Sequence, residues 1–192
     1  MARQRSPDTR DRILDTAARL FNDHGVRAVG MQQIIDEAGC GKNLLYREFP
    51  SKDDLVTAYL QRYRRDWATL VEQATGPLAD DPGAQLVAIT RLAATQVDVP
   101  DYRGCAFRTC YSEFREPGHP AGRVAAEQLQ DVSDQVHSLS SRTGAGDPEL
   151  LAERVWLVIE GLYASGAHPG SGRAGEVAVD LVGELVATAT AR

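Results

Sequence analysis

Three consecutive side chains, Lys42, Asn43 and Leu44, carry three different ways of reading a base-pair edge. A lysine can meet a phosphate or the acceptors of guanine, an asparagine amide can pair bidentately with adenine, and an apolar side chain can meet the methyl group of thymine. Just beyond them Tyr46 offers a hydroxyl, Arg47 a guanidinium and Lys52 an amine. Upstream, the adjacent amides of Gln32 and Gln33 can reach base edges or backbone, or serve simply as helix formers on a wet face. Together these groups have the chemistry of duplex DNA recognition, provided that a scaffold presents them on one side.

The spacing of the apolar residues supplies such a scaffold. Met31, Ile34, Ile35 and Ala38 recur at three- and four-residue intervals and mark one face of a helix. Gly39 ends it, because glycine takes a left-handed conformation without a side-chain clash, and a second helix carrying Leu44, Leu45 and Phe49 can restart at Gly41 or Lys42. Helix, glycine turn, helix is the layout of a helix-turn-helix. Ahead of it, Ser6-Pro7-Asp8 starts a first helix with the stripe Ile13, Leu14, Ala17, Ala18, Leu20 and Phe21, which Asn22 to Gly25 stops. His24 in that stop is a solvated or capping side chain. After it, Ser51 and Asp54 form a near capping box for a long fourth helix through Leu55, Tyr59, Tyr63, Trp67 and Val71, which ends near Gly76-Pro77.

The rest of the chain also reads as helices. Ala79 to Gly83 is a turn and the best linker; helix 5 follows from about Ala84 to Val97, helix 6 from about Cys105 to Arg115, and Glu116 to Pro120 breaks the chain. Helix 7 runs from about Ala121 to Ser141, Asp147-Pro148 starts helix 8 to about Ser165, and helix 9 spans about Arg173 to Thr190. No strand pair is credible. The expected fold is all-α, with about nine helices.

Composition narrows the function classes. The 192 residues are 43% hydrophobic and 25% charged, as in ordinary globular proteins. No apolar run is long enough for a membrane span, and the polar start MARQRSPDTRDR has no signal-peptide centre, so a cytoplasmic protein with no membrane partner is expected. Cys40, Cys105 and Cys110 are too few and scattered for a disulfide framework or a metal site. The net charge of −6 divides unevenly, with 12 Lys+Arg against 11 Asp+Glu up to residue 75 and 9 against 16 thereafter. Any affinity for phosphate therefore belongs to the N-terminal part, where Arg3, Arg5, Arg10 and Arg12 form either a DNA-binding arm or a plain tail. There is no phosphate loop, no Gly-x-Ser-x-Gly, no His-Glu-x-x-His and no paired His or Cys ligands, so no catalytic residue, metal or cofactor is assigned.

From Ala38 to Leu55 the chain reads AGCGKNLLYREFPSKDDL, which resembles the TetR-type transcriptional regulators. Tyr46, Phe49, Ser51, Lys52 and Leu55 carry the match, and Phe21, His24-Gly25 and Ile34 also fall where that family has them. The resemblance implies a three-helix DNA-binding domain at 1–50, with helix 4 linking it to a ligand-binding and dimerisation domain at 51–192. It makes Lys42, Asn43, Leu44, Tyr46 and Arg47 the DNA-facing positions, with Tyr46 and Lys52 on phosphates. Gly30 stands where relatives commonly have a capping, phosphate-touching hydroxyl, which shifts weight onto Gln32 and Gln33; Gly41 stands where they often have a phosphate-binding Ser or Thr, and Leu44 where they often have a smaller or hydroxylated residue.

The resemblance also implies a small-molecule effector and a homodimer through helices 8 and 9. Arg103 to Phe107 resembles a Gly-Cys turn of one branch of the family. With Tyr63, Trp67, Cys105, Phe107, Tyr111, Phe114 and Trp156 it would line an apolar cavity, although each aromatic could equally be core. Arg103, Arg108, Glu113 or His137 could set ligand polarity. Trp156, Ile159, Leu162 and Tyr163 on helix 8, and Val177, Leu181, Leu185 and Thr188 on helix 9, form stripes for a core and a partner. The reading is a ligand-responsive repressor released from a palindromic operator; the alternatives are a small α-helical enzyme or a protein-binding helical module.

Overall fold

Aspartate followed by proline opens two of the helices for a local reason. The carboxylates of Asp81 and Asp147 accept the backbone N–H of Ala84 and Leu150, and the proline after each aspartate has no N–H to leave unpaired. In the computed structural model, which describes residues 7–99, 102–168 and 172–191, nine α-helices are found among the described residues. They are α1 (Pro7–His24), α2 (Met31–Ala38), α3 (Lys42–Glu48), α4 (Lys52–Thr75), α5 (Pro82–Val97), α6 (Ala106–Glu113), α7 (Pro120–Ser141), α8 (Pro148–Gly166) and α9 (Ala174–Thr190). A 3-10 turn, Gly76–Leu78, follows α4. The expected all-α architecture is what the chain adopts.

Two local differences from the expected boundaries have physical causes. Pro82 and Gly83, read as part of a linker, form the first turn of α5 because Asp81 caps it. Arg10 and Arg12, read as part of an arm or tail, lie inside α1. Arg3 and Arg5 fall outside the described residues.

By internal contact the chain divides into two units, one from Met1–Arg64 with Ala106–Glu127 and the other from Arg65–Cys105 with Gln128–Arg192. In the first, Ile13, Ala17, Leu20 and Phe21 of α1 are buried, as are Ile34 and Ile35 of α2, Leu45 of α3, Phe49, and Leu55, Val56, Tyr59 and Leu60 of α4. Each of the larger aliphatic and phenylalanine side chains among them contributes roughly 1.5–3 kcal/mol by leaving water. The Ser51–Asp54 box forms as the sequence asked: the Ser51 hydroxyl accepts the Asp54 N–H at 3.1 Å, and the Asp54 carboxylate accepts the Ser51 N–H at 3.0 Å. In the second unit one core gathers Val71, Leu86, Ile89, Val136, Leu139, Leu151, Val155, Ile159 and Val182, and Trp67 and Trp156 pack against it.

Gly122 in α7 marks a close approach within the first unit, because a Cβ placed there would collide with the backbone oxygen of Phe114. Alanine ordinarily gains up to about 1 kcal/mol over glycine in a helix. Here overpacking against backbone should reverse the sign, and Gly122→Ala should destabilise the protein by about 1–3 kcal/mol. A thermal melt reads this directly; an unchanged or raised midpoint would mean that the corner yields at no cost.

Candidate DNA-reading head and effector cleft

The turn between α2 and α3 positions the reading groups. Gly39 sits at φ 58°, ψ 38°, the left-handed conformation, and its N–H together with that of Cys40 closes onto Asp36 and Ile35 carbonyls. Gly41 then starts α3 with an extended backbone and no side-chain cap. Seven residues are too few for a helix to persist alone in water. Leu45 and Phe49, both buried, anchor α3 to the unit's core. Its far end is tied to α1: Arg10 donates to the Glu48 carbonyl at 3.0 Å and lies 4.2 Å over the Phe49 ring. This bond occupies one of the carbonyls that a helix end leaves unsatisfied.

With Leu45 turned inward, the outer face of α3 carries Lys42, Asn43, Tyr46 and Arg47, all exposed, while Leu44 is half-buried. Lys42 Nζ lies 6.0 Å from the centre of the Tyr46 ring, and Arg47 pairs with Glu48 at 3.3 Å, so the carboxylate nearest this face is partly neutralised from its own helix. Gln32 and Gln33 donate along α2 to Asp36 and Glu37, at 2.8 Å and 3.2 Å. Glu37 also pairs with Arg19 of α1, and that hydrogen bond, followed by the one from Gln33, holds its carboxyl below the ordinary range. Burial pushes the Cys40 thiol up, which leaves it a poor nucleophile at neutral pH.

Lys52 is placed differently from its neighbours. Its Nζ donates to the carbonyl of Arg27 at 3.2 Å, and desolvation lowers its affinity for a proton although Glu113 and Asp53 oppose this. Arg27 belongs to a cluster that sequence reading missed. Its backbone N–H donates to the Glu113 carboxylate, its Nε to the Glu113 carbonyl, and its terminal nitrogen to Glu116, each at 2.9 Å. Its guanidinium also lies 5.4 Å from the Phe114 ring centre. Glu116 is held below the ordinary carboxyl range by its own backbone N–H first and by Arg27 next. His119 stacks on Phe114 at 4.2 Å and faces Asp53 at 3.6 Å. These contacts fasten the end of α6 and the start of α7 to the α1–α2 loop and to the start of α4.

The residues expected to line one cavity divide between the units. Tyr63, Phe107, Tyr111 and Phe114 belong to the first, Trp67, Cys105 and Trp156 to the second. Tyr63 packs on Tyr59 at 4.9 Å, and Phe107 is buried. Tyr111 and Phe114 alone of these seven line a cleft of about 540 Å³ between α6 and α7, together with Arg115, Glu116, His119 and Arg123. Among the four candidates for ligand polarity, Glu113 binds Arg27, and His137 lies between Glu149 and Glu153 at 3.3 Å and 3.9 Å. His137, Glu149 and Glu153 bring one ligand atom each within 4.8 Å of one another, the one such group among the described residues that could hold a metal ion. Both glutamates are exposed, and their contacts with His137 join α7 to α8.

The profile of the family described as "Bacterial regulatory proteins, tetR family" matches residues 13–59, which run from α1 into α4. Over 160 residues the chain is 38% identical to the HTH-type transcriptional activator FasR of Mycolicibacterium smegmatis, covering 82% of this chain and 68% of that one. The chain belongs to the TetR family. A crystal structure of SCO4454, a TetR-family transcriptional regulator from Streptomyces coelicolor, superposes with a TM-score of 0.88 at 29% identity, covering 96% of this chain and 97% of that one. The sav143 protein of Streptomyces avermitilis, a putative TetR transcriptional regulator, matches at 30% identity and a TM-score of 0.71, with 96% and 99% covered. The TetR-family chain is thus a DNA-binding transcriptional regulator, and the enzyme reading is set aside. No helix among its described residues is long and apolar enough to cross a membrane.

Proposed function

We propose that this regulator is a homodimeric repressor whose operator is a palindrome and whose release is driven by a small molecule. The observation that carries the DNA half is the exposed face of α3, where Lys42, Asn43, Tyr46 and Arg47 point away from the anchor Leu45. In this reading Asn43, Leu44 and Lys42 read bases; Tyr46, Arg47 and Lys52 bind phosphates and fix register, Lys52 with the N–H groups not directed at Arg27. Gln32 and Gln33 reach DNA by exchanging their bonds to Asp36 and Glu37, which are exposed and cheap to break. The functional domains are 1–50 and 51–192, with α4 at the start of the second linking it to the first.

The dimer half rests on apolar residues left in water. Leu150 and Leu157 of α8 are seven residues apart, and Val177 and Leu181 of α9 four apart, so each pair lies on one helix face, and all four are exposed. Gly161 and Gly183 have open space where a side chain would stand, which allows close helix approach. Two recognition helices one DNA turn apart bind a palindrome far more tightly than one. A ligand that favours a different separation of the heads releases DNA by linkage; Tyr63, Trp67, Cys105, Phe107, Tyr111, Phe114 and Trp156 remain the candidates to sense it. An activator is the second reading, favoured by the likeness to FasR, named an activator.

Selection of duplexes from a random library by the purified protein at low salt, alongside a gel shift with the region upstream of its own gene, tests the proposal. Recovery of a palindrome supports it; no binding at low salt, where phosphate contacts are strongest, would sink it. On the selected site, Asn43→Ala should lose about 1–3 kcal/mol of discrimination at one base pair per half-site. Tyr46→Ala should weaken cognate and scrambled duplexes alike. Fluorescence anisotropy separates the two, and equal losses on both duplexes for Asn43→Ala would refute its assignment. A reporter that falls rather than rises on deletion of the regulator would favour activation.

A further inference from the structure

The α6–α7 cleft lies wholly within the first unit, and its lining has a definite chemical character. Tyr111, 54% exposed, and Phe114 offer aromatic faces. Arg115 and Arg123 offer two guanidinium groups, whereas the one carboxylate in the lining, Glu116, already faces Arg27. Arg123 is bound only loosely to Glu127, at 3.8 Å between exposed groups, and Arg115 donates its Nε to the Ser112 carbonyl at 3.3 Å. His119 Nδ1 is buried without a hydrogen-bond partner, a condition that a bound polar group would relieve. Guanidinium groups suit the planar fork of a carboxylate, and aromatic faces suit a flat ring. A volume near 540 Å³ is that of a small-molecule site.

We propose that this cleft binds a small aromatic carboxylate, its ring against Tyr111 and Phe114 and its carboxylate on Arg115 and Arg123, and that occupancy weakens DNA binding. The second clause rests on the DNA-binding repressor reading above. The coupling is physical: Phe114 and Glu116 also hold Arg27, and His119 also faces Asp53, at the two places where the α6–α7 corner fastens to the reading head. A ligand anion beside Glu116 and a ring on Phe114 compete with those contacts. Linkage then requires that DNA and ligand weaken each other by the same factor.

Isothermal titration of the full chain with 1-naphthoate, and with uncharged 1-naphthalenemethanol, tests the site. One naphthoate should bind per chain, at least about tenfold more tightly than the alcohol, since charge-assisted bonds dominate the difference. Arg115→Gln with Arg123→Gln should remove that preference, while Arg91→Gln, a loss of positive charge at an exposed α5 position, should leave it intact. No binding at millimolar naphthoate, equal affinity for acid and alcohol, or insensitivity to the paired substitution would overturn the site. Saturating naphthoate should lower affinity for the selected duplex at least about fivefold, and the duplex should lower naphthoate affinity equally; Arg27→Ala should keep naphthoate binding and lose this reciprocal effect. Unchanged DNA affinity would overturn the coupling, whereas a protein that binds no DNA at all would defeat the repressor reading and with it the coupling, leaving the cleft to its own titration.

Discussion

Leu157→Glu on α8 should turn the dimer into a monomer and abolish operator binding at concentrations where the parent is saturated. Leu157 is 72% exposed, the most exposed of the large apolar side chains among the described residues, and Leu150, Val177 and Leu181 accompany it. A carboxylate there costs the isolated chain little, because the position is already wet. Within a dimer it would meet its symmetry mate on an apolar surface, where unpaired buried charge costs several kcal/mol. Without the tether of a second head, affinity for a palindrome falls by roughly 10²- to 10⁴-fold. Sedimentation should show halved mass with unchanged helical circular dichroism, and anisotropy should show the loss of binding. A Leu157→Glu protein that sediments like the parent would place the interface elsewhere.

Leu157 also illustrates what the sequence does and does not disclose. The stripes Trp156–Tyr163 and Val177–Thr188 are visible from spacing, but a helix that is apolar over most of its circumference does not say which side meets its own core. Ile159, Leu162 and Ala178 turn out to be buried within the chain, and Leu157, which the sequence reading passed over, faces outward. Helix starts were more legible, because a cap is a local device: Asp147-Pro148 and Ser51-Asp54 act over three residues, whereas Asp81-Pro82, the same device, was read as linker because acid, proline and glycine also make a turn. The helix-turn-helix was legible for the same reason, since Gly39 and the alternation of Leu45 with exposed polar groups lie within one short stretch. Arg27 was not. Its partners, Glu113 and Glu116, lie 86 and 89 residues away, and no periodicity along one helix encodes a contact between a loop and the end of a distant helix. The seven residues expected around an effector fall in two separately packed units, and spacing along the chain does not say which unit a side chain joins: Tyr63 lies in one and Trp67, a single turn later, in the other.

The second large effect is expected from Leu45→Ala, on the inner side of the reading helix. Leu45 has no solvent exposure, and truncating a buried leucine to alanine costs about 2–5 kcal/mol. That is a large part of the roughly 5–15 kcal/mol that stabilises a whole domain. The cost falls on a helix of seven residues, too short to hold itself, so the loss should be local: α3 detaches before the rest of the chain unfolds. Hydrogen exchange should therefore rise first in 42–49, DNA binding should vanish, and sedimentation should still report a dimer. Leu44→Ala, one residue away and half-buried, should leave exchange nearly unchanged and alter only the preference at a thymine position. If Leu45→Ala kept parental exchange in 42–49, α3 would be held by Arg10 and Phe49 without its leucine, and the division of this helix into an anchoring side and a reading side would have to be redrawn.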